Sequence, residues 1–265
     1  MKTRLFFGYD FETSNLLRHG GKPIEVAAVL VDIKTGEEIA HFQQYMYLEP
    51  GEKMGEEALE THGKTKAWLK KNGVSRKKAF GRIWHWLKKN GVSITTKPEH
   101  AGQLIQVGQN IALFDSIFLK EWAKEAGYEK PFMNVFTRRY YDTMYVAQFI
   151  NDVYIKAYGY GAHLFKVPET GHPSPSLEHQ AIVLGEDVTK AHGALWDART
   201  AMKCHLQHIA THADILTRAD TNWTENKNIA DPAATEGVYC PHCAAWMSSD
   251  TSFHQKYSCI MCANT

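Results

Sequence analysis

In Tyr9-Asp10-Phe11-Glu12-Thr13 two carboxylates stand two residues apart within a β-rich run, and a strand's period of two points both to one face. Carboxylates that share an environment repel and raise one another's pKa, so a partly buried pair is costly unless a cation neutralises it. A divalent metal would explain the pairing; a solvated strand end would need none. A third acid, Asp115, opens a helix (Leu113 to Ala126) just after the strand-leaving Val107-Gly108-Gln109-Asn110. A helix-dipole aspartate is equally at home there, favoured by about 0.3–1 kcal/mol. In Ala191-His192-Gly193-Ala194-Leu195-Trp196-Asp197 a histidine precedes a helix and an aspartate occupies its first turns. Ala194, Ala198 and Ala201 are small enough to let that helix approach a strand bearing Asp10 and Glu12. Asp142 reads as an N-cap, with support of the site as the alternative.

A second constellation is metal-binding by spacing alone. Cys240-Pro-His-Cys243 and Cys259-Ile-Met-Cys262 are separated by 15 residues, the pattern of a tetrahedral structural zinc site. A module this short cannot bury enough core to fold alone, so one Zn²⁺ would supply its folding free energy and chelation should unfold it. Four thiolates close the site to catalysis. Cys204, the fifth cysteine, reads as a buried thiol.

The elements that position these groups alternate between strand and helix. Leu5 to Phe11, Ile24 to Ile33 and His41 to Leu48 form an antiparallel meander. Helical patterns cover Glu56 to Lys71 and Arg76 to Lys89, stopped at Asn72-Gly73 and Asn90-Gly91. The octapeptide Trp68 to Ser75 recurs verbatim as Trp86 to Ser93, too few copies for a solenoid. A short strand, Leu104 to Val107, precedes the Asp115 helix, and further helices begin at Asp142, Ser176 and Ala194. Asn151 to Pro175, rich in Tyr, Gly and Pro, reads as a long irregular loop. The expected architecture is α/β, with residues 1–215 a catalytic domain, 216–237 a polar linker and 238–265 the cysteine module.

Asp-x-Glu, Asn-x-x-x-x-Asp and His-x-x-x-x-Asp, in this order, resemble the three motifs of the DnaQ-like DEDDh 3′-to-5′ exonucleases. Ile24-Glu25-Val26-Ala27 and Ser176-Leu177-Glu178 resemble flanking elements of the same family, and the likeness spans residues 5 to about 210. The resemblance implies a ribonuclease H-like mixed central sheet flanked by helices, with a small C-terminal four-cysteine zinc ribbon appended. It implies two Mg²⁺ or Mn²⁺ ions: Asp10 would bridge both, Glu12 and Asp197 would complete one site, and Asp115 would act near the second through water or a hydrogen bond. His192 would be the general base, since an imidazole ordinarily titrates near about 6.5. Substrates would be single-stranded DNA or RNA 3′ ends, with DNA slightly favoured, and products 5′-mononucleotides. Phe11, Thr13, His62, Lys64 and Asn110 would contact the terminal nucleotides. In two places the sequence departs from the family: Gly108-Gln109-Asn110 replaces the frequent Gly-His-Asn, and Lys64 in His62-Gly63-Lys64 replaces an aliphatic residue. A catalytically inactive nucleic-acid-binding or adaptor protein on the same fold is the alternative; all five catalytic positions are filled, which argues against it.

Composition is that of an ordinary globular protein rather than a disordered, collagenous or membrane one, at 44% hydrophobic and 12% aromatic. Net charge is only +1, so any nucleic-acid-binding surface must be local. Between Thr61 and Lys97 there is no acid but there are eleven Lys and Arg residues. They could track a phosphate backbone or simply form the wet faces of amphipathic helices that bury Phe80, Ile83 and Leu87. The first apolar run is too short for a signal peptide and no stretch approaches membrane-spanning length, so a cytoplasmic location and no membrane partner are expected. A protein partner would dock through the ribbon.

Overall fold

The computed structural model describes residues 5–158, 163–225, 237–239 and 246–248. At its centre is β1 (Leu5–Thr13), whose alternation divides the molecule into two layers. Phe7, Tyr9 and Phe11 face one way; Phe6, Gly8, Asp10 and Glu12 face the other. β1 pairs antiparallel with β2 (Pro23–Asp32), which pairs antiparallel with β3 (Glu38–Tyr45). On its other side β1 runs parallel to β4 (Leu104–Gly108), and β4 to β5 (Phe136–Asp142), giving the order β3-β2-β1-β4-β5. This is the mixed, ribonuclease H-like sheet that the resemblance implies.

Between the strands lie α1 (Glu56–His62), α2 (Lys66–Asn72), α3 (Arg76–Lys89), α4 (Asp115–Glu125), α5 (Glu129–Met133), α6 (Thr143–Tyr158), α7 (Leu177–Val183) and α8 (Ala194–Glu225). The aromatic face of β1, with Val26, Ala28 and Leu30 of β2, packs on Phe80, Ile83 and Leu87 of α3 and on Phe118, Leu119 and Trp122 of α4. The opposite face, with Phe6, Val29, Val31 and Val107, packs on Met202 of α8. No helix among the described residues is long and apolar enough to cross a membrane.

Several boundaries differ from the sequence pattern, each for a local reason. The helical stretch from Glu56 breaks in two because Gly63 takes a left-handed φ of 68° and caps α1, after which the Thr65 side chain caps α2. β3 starts at Glu38 and stops at Tyr45. β5 is hidden in the sequence by Arg138-Arg139, which interrupt its apolar pattern. α6 continues through Asn151 to Tyr158, since no Gly or Pro occurs before Gly159, and so overrides the irregular loop expected from Asn151. α8 likewise runs on to Glu225, into the polar stretch after Asp220. The chain divides into two compact units, Met1–Ile209 and Ala210–Thr265. In the second, β6 (Gly237–Tyr239) pairs antiparallel with β7 (Trp246–Ser248); Cys240, Cys243, Cys259 and Cys262 lie outside the described residues. Cys204 is buried and unpaired, its thiol pushed up to about 12 by burial.

Both copies of the repeated octapeptide end a helix in the same way. Leu69 and Leu87 are fully buried, and the amides of Asn72 and Asn90 donate to the carbonyls of Trp68 and Trp86 at 2.9 and 2.8 Å. The glycines then diverge. Gly91 needs its positive φ of 82° with open space around it, whereas Gly73 has an ordinary φ of −96° and a Cβ there would meet Leu69 O at 2.7 Å and Tyr47 N at 2.9 Å.

The face of β1 that carries the acids is also where α8 comes nearest. A Cβ on Gly8 would lie 3.2 Å from the Ala198 carbonyl oxygen and 2.9 Å from both Val29 Cγ2 and Met202 Cε. The Gly8–Ala198 contact thus fixes the spacing between strand and helix. Gly8→Ala is expected to destabilise the protein by about 1–3 kcal/mol through overpacking, and to weaken divalent-ion binding because Asp197 rides on the displaced helix. Thermal melts with and without Mn²⁺ check this; an unchanged Mn²⁺ response would show that the helix can move without disturbing the acids.

Candidate active site

At the C-terminal end of β1, the side chains of Asp10 and Glu12 meet Asp197 from the first turn of α8, and one oxygen from each lies within 4.8 Å of the others. All three are partly buried, so their charges are poorly screened. Desolvation, then repulsion from Asp115, Asp197, Glu12 and Glu25, raises the Asp10 pKa well above the carboxylate range. Burial raises Glu12 to about 7 despite the opposing Lys64 ammonium. Burial raises Asp197 to about 6, moderated by His192, whose backbone N–H donates to it. Asp115, the first residue of α4, is buried and stands outside the group of three, tied to β1 by a hydrogen bond from Phe11 N at 2.9 Å. Desolvation raises its pKa too.

A cleft of about 310 Å³ opens over these acids, lined by Asp10, Glu12, Asp115 and Asp197 together with Asn110, Glu178 and His192. His192 holds a left-handed φ of 64° and Asn110 one of 52°, conformations that cost a non-glycine residue about 1–2 kcal/mol and tend to persist at functional sites. Asn110 is held there by Asp142, whose carboxylate accepts from Asn110 N at 2.8 Å and from Met144 N at 3.1 Å. Asp142 therefore caps α6 and shapes the cleft at once. Gln109 is bound into a scaffold: its Oε1 accepts from Thr143 Oγ1 (2.6 Å) and Gln180 Nε2 (3.0 Å), and its Nε2 donates to Pro175 O (2.8 Å). The replacement of histidine by glutamine thus braces the segment that presents Glu178. Glu178 Oε1 lies 3.5 Å from His192 Nε2.

Of the remaining candidates Phe11 lines the cleft, whereas Thr13, His62 and Lys64 are not among its lining residues. Phe11 borders the cleft, but its ring is buried against Trp122 at 5.8 Å, because the strand's period turns it away from Asp10 and Glu12. Thr13 is buried. His62 accepts from Lys64 N at 2.9 Å through Nδ1; burial and the Lys64 charge push its imidazole down to about 4, leaving it neutral. Lys64 reaches Glu25 Oε2 at 3.0 Å and Glu12 Oε1 at 4.0 Å. Glu25 is the residue whose place in the site the motifs do not reveal. The β1–β2 register sets it directly opposite Glu12, a relation visible only once the turn between the strands is known.

The exonuclease family model (RNase_T) matches residues 7–204. Among solved structures, the chain is similar to Escherichia coli Exonuclease I in complex with a dT13 oligonucleotide, at 17% identity and a TM-score of 0.63 over 81% of this chain and 43% of that one. The zinc-ion-bound form of the E. coli Exonuclease I–single-stranded DNA complex gives 18% and 0.62, over 82% and 42%. Exonuclease I from Methylocaldum szegediense gives 19% and 0.57, over 76% and 39%. The chain spans less than half of each of these enzymes. No curated protein sequence matches it.

The donor set fits a hard divalent cation: carboxylate oxygens alone, crowded, and destabilised as anions without a counter-charge. The sign of the pH dependence follows. Acids with raised pKa values favour folding while protonated and oppose it once ionised, so in the metal-free protein this contribution is lost as pH rises from about 4 through about 6 and about 7. Above that range a divalent ion no longer has to displace protons. The rise in melting temperature at fixed Mn²⁺ is expected to grow steadily from about pH 5.5 to about pH 8; a rise independent of pH would mean that the ion binds elsewhere.

Proposed function

Because the chain belongs to the exonuclease family, we propose that it hydrolyses single-stranded nucleic acid from the 3′ end, DNA in preference to RNA, releasing 5′-mononucleotides. The observation that carries this reading is the meeting of Asp10, Glu12 and Asp197 at one point of a cleft with His192 beside them. The preference for DNA draws support from the likeness to Exonuclease I, whose structures hold single-stranded DNA; the 3′ polarity rests on the resemblance of the three motifs to the DEDDh exonucleases.

Asp10, Glu12 and Asp197 would hold Mg²⁺ or Mn²⁺, with Asp115 near a second ion. Such a pair neutralises charge on the scissile phosphate and acts as a Lewis acid. The other steps belong to the chain's own groups. His192 takes the proton of the attacking water, and its left-handed backbone fixes where the imidazole stands relative to Asp197. Asp115, pinned by Phe11 N, keeps the end of β1 in place. Asn110, His62 and Lys64 meet the terminal nucleotides, with Phe11 at the lining of the cleft and Thr13 two residues further along β1. Cys240, Cys243, Cys259 and Cys262 would hold one structural Zn²⁺ in a module that grips nucleic acid or a protein partner.

Digestion of 5′-labelled DNA and RNA oligonucleotides with Mg²⁺ or Mn²⁺ tests this. A descending ladder is expected, faster on DNA, absent with Asp10→Ala and slowed roughly 10²–10⁴-fold with His192→Ala. Binding without cleavage would replace the enzyme reading with the adaptor one. Truncation after Asp220 should remove one bound zinc per chain and weaken binding of long oligonucleotides more than turnover of short ones; a zinc content unchanged by truncation would dismiss the ribbon.

A further inference from the structure

Lys64 stands where the family that this chain resembles often has an aliphatic residue, and it faces two acids rather than one. Glu25 is 1% exposed. Its Oε1 accepts from Gln43 Nε2 at 2.7 Å, but Oε2 has no hydrogen-bond partner and relies on the Lys64 ammonium 3.0 Å away. The same ammonium is 4.0 Å from Glu12 Oε1. Among the described residues, Lys64 is the only lysine or arginine ion-paired with Glu12 or Glu25. Its backbone is fixed by the Gly63 turn, by His62 Nδ1 and by Thr65 at the start of α2. The four-carbon side chain beyond that anchor can swing.

Two cations therefore have claims on Glu12. An ion held by Asp10, Glu12 and Asp197 would lie about 2.1 Å from the Glu12 oxygen, close enough to repel the ammonium in its present place. The side chain has somewhere to go: it is 13% exposed, and a substrate would bring phosphate oxygens into the adjoining cleft.

Resting on the exonuclease reading, we propose that Lys64 is a resident counter-cation that holds Glu12 and Glu25 in the metal-free site and transfers to a substrate phosphate when the metal arrives. It makes metal and nucleic acid bind cooperatively. Without substrate the ammonium competes with the ion; with substrate it is drawn away, and by reciprocity the metal tightens nucleic-acid binding by the same factor. An aliphatic residue would leave Glu25 buried without a cation and would provide no such coupling.

Calorimetric titration of the metal-free full chain with Mn²⁺, alone and with 5′-dTMP, reads the coupling without turnover. Lys64→Met is expected to bind Mn²⁺ roughly five- to tenfold more tightly than the wild type in the absence of nucleotide, and the enhancement produced by dTMP should shrink by a similar factor; Lys64→Arg should resemble the wild type. Should Lys64→Met fail to fold around an unpaired Glu25, the pair Glu25→Gln and Glu25→Gln/Lys64→Met carries the same comparison, with the double variant expected to bind Mn²⁺ more tightly. Unchanged or weaker Mn²⁺ binding in the lysine-free variants, with the dTMP enhancement intact, would reduce Lys64 to a structural partner of Glu25. That result leaves the exonuclease reading standing if the wild type still cleaves, whereas a wild type that neither binds Mn²⁺ nor cleaves would overturn both.

Discussion

Asp10, Glu12 and Asp197 repel one another at short range in surroundings that screen them poorly, and much of the scaffold serves to hold them there regardless. The aromatic face of β1 is locked into the larger core by Phe7, Tyr9 and Phe11, so the acidic face cannot rotate away. Gly8 lets α8 come near enough for Asp197 to join the pair. Asp115 is bonded to the strand it faces. Each anchor lies in well-packed structure, which is why the acids cannot separate to relieve their repulsion. The strain instead appears as raised pKa values, the signature of a site prepared for a cation.

The parts that read easily from sequence were those with a local code. β1 and β2 show their burial in apolar runs broken only by Asp10, Glu12, Thr13, Glu25 and the terminal Asp32, Ser75 and Ser176 mark helix starts, and Asp197 falls in the first turn of α8 because Gly193-Ala194 opens that helix. The acids could be grouped because three separate motifs occurred in a recognised order; geometry alone would not have joined Asp10 to a residue 187 positions away. What stayed hidden was non-local. β5 is a strand because β4 gives it a partner, despite two arginines in its middle. Phe11 sits beside a metal-site acid yet buries its ring, a consequence of which β1 face meets α4. Glu25 joins the site only through the register of a hairpin.

The two departures from the family pattern have different physical characters. Gln109 is absorbed: its amide satisfies Thr143, Gln180 and Pro175 together, and the wall of the cleft is braced in consequence. Lys64 is not absorbed. It adds a charge to the one corner where charge is most tightly constrained, 3.0 Å from the buried carboxylate of Glu25. The basic character of α2 and α3 belongs to their wet faces, since α3 buries Ala79, Phe80, Ile83 and Leu87; the packing and phosphate-tracking readings of that stretch are compatible.

The twin octapeptides bear on how such a chain can drift over generations. Their leucines are both fully buried and their asparagines make the same hydrogen bond to the tryptophan carbonyl four residues back. Gly91 answers only to a backbone angle, which asparagine can also adopt, whereas Gly73 answers to the absence of any side chain at all. Two stretches with identical letters are therefore under unequal constraint. The second copy is free to lose its likeness to the first at a position where the first has no freedom, and divergence between them should begin at that glycine.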